Sequence, residues 1–187
     1  MMDARGQYLG LIDVLRRYWR IYGGLPAMLR SPFVHLSIVL TALTAQTWLY
    51  ERWWLTVIAI LPNLLGFTLG GFAVFLGFGD DRFRQMIAGS HPDEPEPFSP
   101  YLGVSATFLH FVLVQILALL WALTASSLYF DLPDGKLALV GSVLGHCGGA
   151  VGYWLFLYGL FSGAAAAIAI FRVAGWYDAY RSPDASR

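Results

Sequence analysis

Few side chains of this sequence could do chemistry inside an apolar protein. His110, Gln115 and His146 are the clearest, because each lies within a long apolar stretch, and Cys147 follows His146 directly. A zinc site needs three or four ligands, and the His-Cys pair supplies only two. A bis-histidine haem needs two imidazoles at the same depth on facing helices, whereas we expect His110 and His146 to enter the membrane from opposite sides. The sequence therefore predicts no metal site and no cofactor, and histidines that are hydrogen-bonded within the protein.

A charged cluster borders the second apolar stretch, where Asp80 and Asp81 are followed by Arg82 and Arg84. A carboxylate is favourable at the N-terminus of a helix, so the preferred interpretation is that Asp80 caps a short helix over residues 80–88. The alternative is a divalent-cation or lipid-headgroup site at the cytoplasmic mouth, formed by Asp80, Asp81 and Arg82. The sequence contains no His-Glu-x-x-His, no Gly-x-Ser-x-Gly and no phosphate-binding loop. We therefore expect no catalytic residues and no enzymatic activity.

The elements that must position these side chains are long apolar helices. Hydrophobic residues make up 57% of the 187 and charged residues only 13%, about half the ~25% of a soluble domain. Four stretches are long enough for the roughly 20 helical residues that cross a bilayer, at about 33–49, 53–78, 102–128 and 137–171. The predicted fold is an all-α integral membrane protein with four transmembrane helices. None of these stretches contains Asp, Glu, Lys or Arg, which argues against an ion-coupled pump.

Three further segments complete the predicted organisation. Residues 1–32 form a cytoplasmic segment with an amphipathic helix over residues 7–22, whose arginines we expect to face anionic lipids at the membrane interface. Residues 33–175 form the transmembrane domain, which includes a cytoplasmic loop over residues 79–100. Residues 176–187 form a cytoplasmic tail.

The orientation follows from the basic residues. Ten of the twelve fall in the N-terminal segment, the 79–100 loop and the C-terminal end, and only Arg52 and Lys136 fall on the other side. Basic residues favour the cytoplasmic side, so we place both termini in the cytoplasm. Eleven arginines against one lysine, with many alanines and glycines, indicate a GC-rich bacterial genome and hence a bacterial inner membrane.

The fourth apolar stretch is longer than a bilayer requires. Residues 137–171 would extend about 50 Å as a helix at ~1.5 Å per residue. We expect this segment to tilt strongly, to protrude, or to break at Gly148-Gly149. The structural alternative is a separate re-entrant half-helix over residues 137–147.

Two of the predicted spans have a face of small residues. In the second span this face lies within an arc of about 80°, and Pro62 beside it should weaken the helix. One interpretation is close helix packing, and the other is a pore wall with Asn63 at a constriction. The second-span face consists of Ala59, Asn63, Gly66, Gly70, Ala73 and Gly77. In the fourth span, glycines from Gly141 to Gly163 predict a packing seam.

These features favour a homo-oligomeric channel or pore-forming protein for ions or small solutes. Four helices seldom enclose a pore, so several copies are implied, with the second span as the lining. The alternative is a non-transporting membrane subunit or scaffold that recruits a cytoplasmic protein partner through its N-terminal helix and its acidic, proline-rich residues 91–97. A net charge of zero gives no basic surface for nucleic acid.

Overall fold

The computed structural model describes residues 4–89, 98–128 and 136–182, and the elements within these ranges are all helices. In chain order they are α1 Ala4–Tyr22, α2 Gly24–Leu29, α3 Pro32–Leu43, α4 Ala45–Tyr50, α5 Trp53–Gly77, α6 Asp81–Ala88, α7 Pro100–Ser127 and α8 Lys136–Arg181. The predicted all-helical class is therefore confirmed.

Three helices are long and apolar enough to cross a membrane. They are α5, α7 and the Gly141–Arg181 part of α8. The bounds of α5 and α7 agree with the second and third predicted spans to within two residues. α3 is apolar but has only 12 residues, so the first predicted span does not form as one long helix.

The first predicted span, residues 33–49, is interrupted at Thr44. This residue has φ −99° and ψ 25° and ends α3, and α4 begins at the next residue. The indole nitrogen of Trp48 donates a hydrogen bond to the carbonyl oxygen of Thr41 at 2.8 Å, and the hydroxyl of Thr44 donates to the carbonyl of Leu40 at 2.6 Å. Side-chain donors that compete for backbone carbonyls are a known cause of helix breaks and bends.

α8 is a single helix of 46 residues, about 69 Å long at ~1.5 Å per residue. The predicted break at Gly148-Gly149 and the alternative half-helix over residues 137–147 are therefore wrong, and tilting or protrusion of the unbroken helix stays the prediction. Gly149 allows close packing, because a Cβ placed on it would lie 3.1 Å from the carbonyl oxygen of Trp48, whereas a Cβ on Gly148 would meet no atom within 4 Å.

α7 lies at the centre of the bundle and contacts α1, α5, α6 and α8. His110 and Gln115 are 4% and 0% exposed, although they point about 140° apart at 100° per residue. Large side chains fill the bundle on both sides of α7, with one cluster around Trp53 and Phe156 and a second around Phe83. The interior between the long helices is therefore packed in the described part of the chain.

The predicted N-terminal helix is present as α1 and ends where Gly23 and Gly24 take left-handed backbone angles, φ 97° and 66°. α1 lies against α7 through Tyr18, which is buried, whereas Leu11 and Ile12 are exposed. Its position at a membrane interface stays a prediction.

Candidate functional site

The small-residue face of α5 points away from the rest of the bundle. The buried side chains of α5 lie on the opposite side of the helix, about 180° from the centre of this face at 100° per residue. A Cβ placed on Gly66, Gly70 or Gly77 would meet no atom within 4 Å. The buried set is Trp53, Val57, Leu61, Thr68 and Phe75.

Asn63 is the polar member of this open face. Its side chain is exposed, and its amide nitrogen makes a 3.4 Å hydrogen bond to the carbonyl of Ala59 one turn earlier. Pro62 is also exposed, and α5 continues through it without ending. The structure thus brings Asn63, Pro62 and the α5 glycines together on one uncovered surface.

Two glycines of α8 have the opposite environment. A Cβ on Gly152 would overlap the rings of Trp53 and Trp121, and one on Gly163 would lie 2.8 Å from Leu64. The predicted packing seam is therefore confirmed for these α8 residues, and the facing helices belong to the same chain. Small residues allow such close approach between membrane helices.

Gln115 lies in a buried polar cluster where α5, α7 and α8 meet. Its amide nitrogen is 3.1 Å from the hydroxyl oxygens of both Thr68 and Ser162. Each hydroxyl donates its own proton to a carbonyl of its own helix, that of Leu64 or Gly159. The same nitrogen lies 3.3 Å from the carbonyl oxygen of Gly159, so its two protons are shared among three acceptors, and the amide oxygen of Gln115 has no hydrogen-bond partner among the described residues.

His110 is held by tyrosines from two other helices. Its Nδ1 atom lies 2.7 Å from the hydroxyl of Tyr18 of α1, and its Nε2 atom lies 2.7 Å from the hydroxyl of Tyr158 of α8. The ring of Tyr22 stacks on the imidazole at 3.9 Å between centroids and 15° between planes. A neutral imidazole has one donor and one acceptor nitrogen, so one tyrosine donates to His110 and the other accepts from it.

The protonation of Tyr18 supports this arrangement. Burial, together with the nearby Tyr22, raises the pKa of Tyr18 to about 12, so its hydroxyl keeps its proton at neutral pH. Both imidazole nitrogens thus lie within hydrogen-bond distance of a tyrosine hydroxyl.

The other predicted site residues stay apart from these clusters. His146 is exposed, with its Nδ1 atom 3.4 Å from the hydroxyl of Ser142. Asp80 caps α6, accepting a hydrogen bond from the backbone nitrogen of Phe83 at 2.8 Å. The preferred interpretation of Asp80 is thus confirmed. Within the described ranges, no group of three or more His, Cys, Asp or Glu side chains could hold a metal ion.

The neighbours of Asp80 lie at the surface. Asp81 pairs with Arg84 at 2.6 Å, and Arg82 is exposed. These residues form the start of α6, and a cation or lipid-headgroup site there stays a prediction.

Comparison of the chain with protein-family models, with curated proteins and with solved structures gives no match. Its function is therefore argued from its own residues.

Sequence reasoning found His110 and Gln115 but missed their partners. Tyr18 and Tyr158 lie 92 and 48 residues from His110, and Thr68 and Ser162 look unremarkable in apolar helices. A usable signal was that Tyr18 shares the apolar side of α1, which had to contact either lipid or another helix.

Proposed function

We propose that this protein is a homo-oligomeric channel or pore-forming protein of the bacterial inner membrane, in which the open face of α5 lines a pathway for ions or small solutes. The observation that carries the proposal is the exposed carboxamide of Asn63 on a face that no other described element covers. Residues 33–49, 53–78, 102–128 and 137–171 contain no Asp, Glu, Lys or Arg that would couple transport to an ion, so we propose a passive pathway.

Because of its depth, the exposed side chain of Asn63 would cost free energy in a single chain surrounded by lipid. Asn63 lies about 15 Å from Trp53 and about 21 Å from Gly77 along α5, at ~1.5 Å per residue, which places it near the middle of a ~30 Å hydrocarbon core. An amide without full hydrogen bonding costs about 2 kcal/mol or more in an apolar medium. Water in a lumen, or a neighbouring subunit, removes that cost.

A pathway between subunits agrees better with the packing than one within the chain. Trp53, Leu61 and Phe108 fill the space between the long helices. The small side chains that could border a water-filled passage are on the outer side of α5 instead. We therefore place the lumen, or its constriction, where several α5 helices meet.

The topology we propose has four spans. α3 and α4 together cover residues 32–50, about 28 Å at ~1.5 Å per residue, and form the first span with its break at Thr44. α5, α7 and α8 form the others, and both termini are cytoplasmic. α1 lies at the cytoplasmic interface, with exposed Leu11 and Ile12 toward lipid and Arg16 and Arg17 toward anionic headgroups.

Cysteine accessibility tests the lumen directly. Cys147 is exposed and is first replaced by Ser. Gly70→Cys is then compared with Leu69→Cys, which lies about 1.5 Å away in depth but about 100° around the helix. In proteoliposomes of the full chain, a charged, membrane-impermeant thiol reagent should modify the Gly70→Cys protein and block solute flux, and should leave the Leu69→Cys protein unmodified.

Two outcomes count against the channel. Vesicles that stay tight to ions and small solutes at full protein incorporation contradict it. Gly70→Cys chains that cross-link to one another but resist the charged reagent identify the α5 face as a dry subunit contact, as the alternative of a non-transporting scaffold requires.

A further inference from the structure

A groove of about 900 Å³ opens on the side of the bundle where α7 begins, and α1, α3, α7 and α8 all contribute to it. Along α7 it extends from Ser99 to Phe111, about 18 Å at ~1.5 Å per residue, and along α8 from Ala165 to Trp176, about 17 Å. Half of a ~30 Å hydrocarbon core is about 15 Å. The groove therefore has the length of one leaflet of the bilayer.

The lining of the groove is complementary to an amphiphilic ligand. Its walls are mainly apolar, with Val104, Phe111 and Ile168 among them, and it contains one guanidinium, that of Arg172. Among the described residues, no Asp or Glu lines it, and Arg172 makes no ion pair or hydrogen bond. An unpaired cation beside an apolar surface suits a ligand with an anionic head and a hydrocarbon tail.

We propose that this groove binds one anionic phospholipid of the bilayer, with an acyl chain along Val104, Phe111 and Ile168 and the phosphate against Arg172. A free phosphate would use the cation but not the apolar length of the groove. A zwitterionic lipid would use the length but place its own cation near the guanidinium. An anionic phospholipid matches both features, and the bilayer supplies it.

The bound lipid would also join the N-terminal helix to the bundle. Tyr22 of α1 lines the groove and also stacks on His110, and Phe33 of α3 lines the groove as well. A ligand that binds the folded chain and not the unfolded one raises its stability, so binding should be visible as a rise in the unfolding temperature.

The test uses the delipidated full-length protein in neutral detergent and does not depend on flux. Dioleoyl phosphatidylglycerol and dioleoyl phosphatidylcholine, which share their acyl chains, are titrated separately and followed by native mass spectrometry and by thermal unfolding. Phosphatidylglycerol should bind more tightly, and Arg172→Gln should reduce its affinity about fivefold, the factor typical of one basic residue at an anionic surface, while leaving phosphatidylcholine unchanged.

The matched control is Arg181→Gln. Arg181 lies on the same helix, with its guanidinium carbon 6.0 Å from the ring centroid of Tyr177, and does not line the groove. This variant should therefore bind both lipids as the unmodified protein does.

Gly103→Leu tests the apolar part of the groove independently. A Cβ at Gly103 meets nothing within 4 Å, so the larger side chain enters the groove without a clash and should weaken both lipids.

Three results would overturn the proposal. The first is equal affinity of the unmodified protein for the two lipids. The second is a loss of phosphatidylglycerol binding that is no larger for Arg172→Gln than for Arg181→Gln. The third is displacement of bound lipid by glycerol 1-phosphate or by oleate at concentrations comparable to that of the phospholipid, which would assign the site to a free anion or to a fatty acid.

Discussion

Replacing His110 with Phe should destabilise the protein mainly by leaving two tyrosine hydroxyls without a partner. Phe keeps the ring that stacks with Tyr22 but removes both nitrogens, each of which lies 2.7 Å from a hydroxyl. Tyr18 is 9% exposed and Tyr158 is 2% exposed, so water does not replace the lost bonds in the folded state. A buried polar group that loses its partner costs about 1–3 kcal/mol.

The two losses should not be equal. Tyr158 belongs to α8 and is 2% exposed, so its hydroxyl stays buried without a partner. Tyr18 belongs to α1, which can leave the bundle and hydrate it again, and this limits the cost. We therefore expect His110→Phe to lower the free energy of unfolding by about 2–4 kcal/mol and to release α1.

Equilibrium unfolding in mixed micelles, followed by tryptophan fluorescence, measures the first effect, and amide hydrogen exchange of residues 5–22 measures the second. His146→Phe is the matched control, because that histidine is exposed and its replacement should change stability by less than about 0.5 kcal/mol. Adding Tyr18→Phe to His110→Phe should recover part of the loss, since one orphaned hydroxyl is then gone.

Two results would refute this reasoning. One is a His110→Phe protein as stable as the His146→Phe protein. The other is a double variant that is less stable than His110→Phe by the full cost of Tyr18→Phe alone, because additive losses would mean that the two side chains do not interact.

Three further predictions follow from the packing. Gly152→Val should cost about 1–3 kcal/mol of stability because its side chain overlaps Trp53. Gly145→Ala, whose Cβ meets nothing within 4 Å, should be neutral or stabilising by up to about 1 kcal/mol. Thermal unfolding of the two variants measures both effects. Gln115→Leu should change the free energy of unfolding by less than about 1 kcal/mol, close to the average contribution of membrane hydrogen bonds, because it also removes an amide oxygen that has no described partner. A loss of stability as large as that caused by a new cavity in the core would contradict this. Asp80→Ala should cost about 1 kcal/mol as a lost N-cap, seen as faster hydrogen exchange in α6, and Asp80→Asn should restore it.

The sequence predicted what depends on local pattern. Hydropathy over about 20 residues located α5 and α7, and the preference of a carboxylate for a helix N-terminus located Asp80. The break at Thr44 could not be found in this way, because it accompanies a hydrogen bond from Trp48 to the carbonyl of Thr41. Apolar composition is the same on both sides of that break.

The partners of the buried polar side chains depend on tertiary structure. The helical period shows that His110 and Gln115 point in different directions, but it does not show what each direction contacts. α7 could have exposed one of them to lipid. Instead, α1 covers His110, whereas α5 and α8 together cover Gln115. This arrangement makes α7 the central helix.

The two small-residue faces present the same pattern in the sequence and opposite environments in the fold. On α8, Gly152 and Gly163 face large side chains of the same chain, which fill the space a Cβ would take, whereas Gly145 and Gly148 meet no atom within 4 Å. On α5, Gly66, Gly70 and Gly77 also meet no atom within 4 Å, and Asn63 lies on the same face. A glycine face gains nothing from lipid, since its value is the close approach of another helix, and an asparagine at mid-depth loses free energy there. A face that lipid would not favour, on the outer side of a bundle whose described interior is packed, agrees with the oligomer proposed above, and the charged thiol reagent at Gly70→Cys distinguishes a wet contact from a dry one.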